Sequence, residues 1–139
     1  MRQQDNFELP DYVREYVDLI VQRLRPLGII LFGSMATGEA HRTSDYDLLV
    51  VAQNLPLDVW ERIDVLWRDK PLDVEVIGFR PKEIEEKIHR GLVLDALLLG
   101  RVLYGNVSGL QEKARHFVGE KKLVRTEAGY FREREARGE

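Results

Sequence analysis

The chain of 139 residues contains no cysteine. That excludes disulfides, thiol nucleophiles and a cysteine zinc site, and it suits a cytoplasmic protein. Histidine is scarce as well: His41, His89 and His116 are scattered, with no short metal-ligand spacing. No apolar run approaches membrane-spanning length, and Met1-Arg2-Gln3-Gln4-Asp5-Asn6 has no apolar core after its charge. Neither a membrane partner nor a signal peptide is therefore expected. Basic charge is not in excess. The 21 Lys and Arg residues face 24 Asp and Glu, and a pI of about 5.7 counts against an extended nucleic-acid partner. Internal repeats and low-complexity linkers are also missing. At 44% hydrophobic content the chain can bury one core, and it is too short for a second full domain.

The chemistry concentrates in residues 33–47. Leu27-Gly28-Ile29-Ile30-Leu31-Phe32 reads as a buried strand that ends at Gly33, a residue able to take the backbone of a tight turn. Ser34 then stands where a helix N-cap belongs, with unpaired backbone N–H groups facing the turn. An anion is the natural occupant of such a turn. After a polar loop, Asp45-Tyr46-Asp47-Leu48-Leu49-Val50-Val51-Ala52 forms a second strand. Side chains alternate along a strand, so Asp45 and Asp47 share a face, roughly 6.5–7 Å apart, and can hold a divalent cation between them. Two neighbouring carboxylates beside a buried strand raise each other's proton affinity unless a cation neutralises them.

A third acid comes from Lys70-Pro71-Leu72-Asp73-Val74-Glu75-Val76-Ile77-Gly78-Phe79. Proline opens a strand more readily than it sits inside one, so this strand is expected to begin near Leu72. Leu72, Val74 and Val76 then share one face, and Asp73 and Glu75 share the other.

This pattern of strand, Gly33-Ser34, ten intervening residues, Asp45-x-Asp47 and a later acid at Asp73 resembles the nucleotidyltransferases of the DNA polymerase β superfamily. More narrowly, it is similar to the minimal, single-domain nucleotidyltransferases. The likeness covers roughly residues 27 to 105. It implies an α/β nucleotidyltransferase fold, a small mixed sheet flanked by helices. By the same resemblance, Gly33 and Ser34 contact the nucleotide triphosphate. Asp45, Asp47 and Asp73 bind two Mg²⁺ ions, and Asp73 helps activate the attacking hydroxyl. Asp73 is preferred to Glu75 because it matches the family position and lies nearer the strand start. Thr37 occupies a place where relatives often carry a basic residue, a charge that Arg42 could supply.

The implied activity is Mg²⁺-dependent transfer of a nucleoside monophosphate, AMP from ATP foremost, to an acceptor hydroxyl with release of pyrophosphate. Relatives are often paired with a small helical HEPN protein, some as antitoxins that adenylylate a tyrosine of the toxin. A protein tyrosine is accordingly the expected acceptor, and a homo-oligomer is a further expected partner state. The alternatives are a non-catalytic nucleotide-binding or partner-binding subunit and a small-molecule nucleotidyltransferase.

The remaining residues read as scaffold. Residues 11–25 have helical periodicity through Val13, Tyr16, Val17, Ile20, Val21 and Leu24, closed by Pro26 and Gly28. Leu57 to Trp67 forms a second helix in which Trp60, Ile63 and Trp67 are expected to face the core. Pro81 begins a third. Leu92 to Leu99 is almost continuously apolar around Asp95 and suggests a buried helix or a subunit contact. Residues 1–109 are expected to form the nucleotidyltransferase domain. Residues 110–139 extend it with a helix and a charged, solvated tail in which Tyr130 and Phe131 stand among charges.

Overall fold

The computed structural model describes residues 8–33 and 45–133. Helix α1 (Asp11–Leu24) starts after Pro10 and places Val13, Tyr16, Val17, Ile20 and Leu24 on one buried stripe. Arg25 ends it in the left-handed conformation, its N–H donating to the Val21 carbonyl. Strands β1 (Gly28–Phe32), β2 (Tyr46–Val51), β3 (Val74–Phe79) and β4 (Arg101–Gly105) make one mixed sheet in the order β3-β2-β1-β4. β1 runs antiparallel to β2 and β4, whereas β2 and β3 are parallel. A parallel pair needs a crossover, supplied here by helix α2 (Val59–Trp67). Asp58 caps that helix by accepting from the Glu61 N–H at 3.0 Å.

Both faces of the sheet are covered, as expected of strands whose apolar residues run without interruption. On one face, α1 packs with Leu66 of α2 over Leu31, Leu48, Val50, Val74 and Val76. On the other, helices α3 (Pro81–Glu86), α4 (Gly91–Leu99) and α5 (Ser108–Lys121) cover Ile30, Leu49 and Val51 through Ile84, Leu94, Leu97, Leu110 and Ala114. Among the described residues no helix is long and apolar enough to cross a membrane.

Three expectations give way. First, the tryptophans of α2 do not face the core: Leu66 is the buried residue of that helix, and Trp60 and Trp67 are exposed. The inward position at Arg62 is taken by a guanidinium that makes four hydrogen bonds. It donates to the Pro56 carbonyl (2.8 Å), the Gly78 carbonyl (3.1 Å) and both Glu83 oxygens (2.8 and 3.1 Å). Glu83, which also accepts from the Arg80 N–H, is held below its ordinary pKa chiefly by this guanidinium. Second, β3 begins at Val74, not near Leu72. Val74 N–H closes a turn onto Pro71 O, and Lys70 Nζ donates to the carbonyls of Pro71 and Val74, leaving Leu72 in solvent.

Third, the charged tail is structured within its described part. Strands β5 (Leu123–Thr126) and β6 (Gly129–Arg132) form a hairpin after α5. Asp95, placed in the apolar run of α4, is its anchor: Arg125 donates to both carboxylate oxygens (2.8 and 3.2 Å), and Tyr130 Oη donates to one (2.9 Å). Burial, then this bond to Asp95, pushes the Tyr130 phenol up to about 12.

Candidate active site

The C-terminal end of β1 and the N-terminal ends of β2 and β3 meet at one end of the sheet. The register there is specific: Phe32 lies opposite Asp47, and Asp47 opposite Glu75. Residues paired across a ladder share a face, so the Asp47 and Glu75 carboxylates point to the same side of adjacent strands, whose backbones are about 4.8 Å apart. Asp45, just before β2, belongs to that face by alternation. Gly33 follows Phe32 with φ +80°, and a Cβ built there would stand 2.5 Å from Asp47 Oδ2. Glycine thus supplies both the turn and the space into which the Asp47 carboxylate leans.

The electrostatics agree with the register. Asp47 is partly buried and has a raised pKa, first from desolvation, then from the neighbouring charges of Asp45 and Glu75. Asp73 has different surroundings. It lies in the turn before β3, its carbonyl accepts from the Tyr46 N–H (2.9 Å), and its carboxylate accepts from the hydroxyl of Tyr12 on α1. That bond pushes the Tyr12 phenol up to about 12. The structure therefore brings Asp45, Asp47 and Glu75 together beside Gly33, and ties the Asp73 side chain to the α1 layer. Ser34, Thr37, His41 and Arg42 lie outside the described residues.

A model of the nucleotidyltransferase domain matches residues 13–104, from α1 through β4. The chain belongs to the nucleotidyltransferase domain family. A Methanocaldococcus jannaschii relative, provisionally named a protein adenylyltransferase, is 36% identical over 86 residues, which are 56% of this chain and 58% of that protein. The chain thus spans a little over half the length of that relative. Among solved structures, a provisionally assigned nucleotidyltransferase from Sulfolobus solfataricus superposes with a TM-score of 0.54 at 23% identity, over 68% of this chain and 78% of that one. A chain from the complex of a tri-AMPylated Shewanella oneidensis HEPN toxin with an MNT antitoxin gives 0.50 at 18% identity, over 80% and 90%. At these identities the likeness is one of fold. The α/β architecture with a mixed sheet flanked by helices is that of nucleotidyltransferases.

A nucleotidyltransferase of this family calls for a divalent cation, and the donor chemistry fits one. The acids offer hard carboxylate oxygens at one strand end, and the proton affinity of Asp47 is already raised, first by desolvation and then by its acidic neighbours, a penalty that a bound cation would offset. Among the described residues no group of three or more acids or histidines is close enough to hold a metal ion by itself. An open row suits Mg²⁺, which binds through one or two carboxylates and keeps waters and substrate phosphates in its shell.

The register places Glu75, ranked second to Asp73 on sequence alone, beside Asp47. A signal was present: Asp47 and Glu75 each stand four residues before the end of their strands, at Val51 and Phe79. Equal spacing in two parallel strands places such residues side by side.

Proposed function

We propose that this nucleotidyltransferase domain transfers a nucleoside monophosphate, AMP from ATP foremost, to an acceptor hydroxyl with release of pyrophosphate. The observation that carries the reading is the register of β2 and β3, which sets Asp47 against Glu75 with Asp45 two residues away and Gly33 across the strand end. Asp45 and Asp47 would hold Mg²⁺, as two ions in the full site. Glu75 is favoured over Asp73 as the third carboxylate, because its side chain shares their face. When bound, the ions supply charge neutralisation on the phosphate oxygens and Lewis-acid polarisation at phosphorus.

The chain's own residues position the reactants. The Gly33 turn lets the triphosphate approach the backbone closely, and Ser34 is assigned to the same contact. The sheet holds the acids on rigid strands, which preorganises the charge that the transition state requires. Asp73, whose carboxylate accepts from Tyr12 on the α1 layer, is assigned no place in that row of acids. A protein acceptor is supported by the name of the archaeal relative and by the AMPylated toxin in the structural neighbour. A tyrosine of a small helical HEPN partner is therefore the specific acceptor proposed.

The test is calorimetric titration of Mg²⁺-ATP and the other Mg²⁺-NTPs into wild type and the Asp45→Asn/Asp47→Asn protein, paired with transfer of label from α-labelled ATP. Binding and transfer should require Mg²⁺ and vanish in the double variant. Glu75→Gln should slow transfer more than Asp73→Asn; the reverse order would return the third-carboxylate role to Asp73. Binding that ignores both aspartates would remove the strand end as the nucleotide site.

A further inference from the structure

Helix α2 is apolar on two sides, yet the fold buries only one. Leu66 enters the core, while Trp60, Ile63 and Trp67, at i, i+3 and i+7, make a second stripe that faces outward. Trp60 is 75% exposed and Trp67 53%. Solvated tryptophans at that density are unusual on a monomer surface and are the residue type most enriched at interaction hot spots. Asp64 stands within the stripe, and Ile63, Asp64, Trp67 and Arg68 line an open depression there.

The stripe runs toward the start of β3. Lys70 Nζ lies 5.6 Å from the centre of the Trp67 ring and donates to the Val74 carbonyl at 2.6 Å. Trp67 therefore stands close to the first residue of β3, between Asp73 and Glu75 in sequence. Leu72, 98% exposed, extends the apolar surface toward that end.

Charge selects the occupant. Asp58, Glu61 and Asp64 are exposed along α2 against one exposed cation, Arg68, whereas Arg62 is turned inward to Glu83 and Lys70 is engaged by Trp67 and two carbonyls, so the exposed face is net acidic. A polyanion would be repelled. A second copy docked isologously would set one net-acidic helix face against another, an unfavourable like-charge pairing. An amphipathic helix with a cationic flank meets both demands, filling the space between the tryptophans and pairing with Asp64.

We propose that the outward stripe of α2, with Trp60, Ile63, Asp64 and Trp67 at its centre, is the surface on which the acceptor protein docks through a basic amphipathic helix. The proposal rests on the strand end acting as a nucleotidyl-transfer site toward a protein, and it adds the place and chemistry of recognition.

The experiment uses the full chain without nucleotide and two synthetic helical peptides of one amphipathic pattern, one leucine/lysine and one leucine/glutamate. The lysine peptide should bind with a blue shift of tryptophan emission, and the glutamate peptide should not. Affinity for the lysine peptide should fall about tenfold or more in Trp60→Ser/Trp67→Ser and in Asp64→Lys, the scale of a hot-spot loss. Circular dichroism should be unchanged, because these side chains are exposed. Asp47→Asn should lose Mg²⁺-ATP binding and keep the peptide, so failure of the transfer site is read separately from failure of the docking surface. Undiminished peptide binding in the tryptophan variant would overturn the proposal, as would equal binding of both peptides. Self-association of the wild type that Trp60→Ser abolishes would also overturn it, assigning the stripe to a second copy.

Discussion

Replacing Gly33 with alanine perturbs the site through one methyl group. The backbone at Gly33 has φ +80°, where an L side chain is strained by about 1–2 kcal/mol. The new Cβ would stand 2.5 Å from Asp47 Oδ2, so the carboxylate must retreat by nearly an ångström to reach the 3.4 Å of ordinary contact. Backbone strain alone lowers Tm by about 3–7 °C in a domain of this size. A displacement of that length at a reacting centre costs about a hundredfold in rate. Thermal unfolding, Mg²⁺-ATP calorimetry and AMP transfer should be measured on Gly33→Ala, Asp47→Ala and the double variant. With the Asp47 carboxylate absent the clash is gone, so the double variant should pay only the backbone strain. Transfer and nucleotide affinity within twofold of wild type in Gly33→Ala would refute the link between the turn and the Asp47 position.

Three further outcomes are expected. Asp47→Asn should stabilise the metal-free protein by about 0.5–2 kcal/mol, the usual yield of removing an unfavourable charge, while abolishing transfer. The folded-state pKa of Asp47 is raised, so its penalty is absent at acid pH and grows as pH climbs from the ordinary aspartate range through the folded value. The stabilisation should follow that course in urea titrations, and added Mg²⁺ should raise the Tm of wild type but not of Asp47→Asn. Arg62→Met should cost about 3–5 kcal/mol, because it strands Glu83 and two backbone carbonyls in a mostly buried setting. Glu83 has a lowered folded pKa, so its contribution is present above the ordinary glutamate range and is lost as pH falls through the folded value. Denaturation of Arg62→Met should be flatter over that acid window. Tyr130→Phe removes one hydrogen bond to Asp95 and should cost about 1 kcal/mol. Amide exchange should rise in residues 123–132 and stay unchanged in β1 and β2.

Local signals were enough for much of the architecture. The stripe of Val13, Tyr16, Ile20 and Leu24, the apolar runs of β1 and β2 and the proline at Pro81 each specify an element through neighbours a few residues away. Gly33 and the Asp45/Asp47 pair were legible for the same reason. What the sequence left open depends on distant partners. Which of Asp73 and Glu75 shares a face with Asp47 follows from the pairing of β3 with β2, nearly thirty residues apart, and from a phenol on α1. The face chosen by α2 could not be read from periodicity because the helix is apolar on both sides. It is settled by the hydrogen bonds available to Arg62. The hairpin at residues 123–132 was hidden by its charges, one of which, Arg125, serves Asp95 from thirty residues away.

The fastening of the hairpin to Asp95 links the composition of an inner helix to the presence of an outer strand pair. Leu94, Ala96 and Leu97 around that aspartate belong to the core, and Arg125 and Tyr130 satisfy its oxygens. A homologue that has shed the hairpin would leave this carboxylate beside apolar neighbours without those donors. Such a chain should carry an uncharged residue at the position of Asp95, and chains that keep the acid should keep the arginine and tyrosine. Loss of the segment and replacement of the aspartate are thus expected to travel together through the lineage, although the two lie in different parts of the chain.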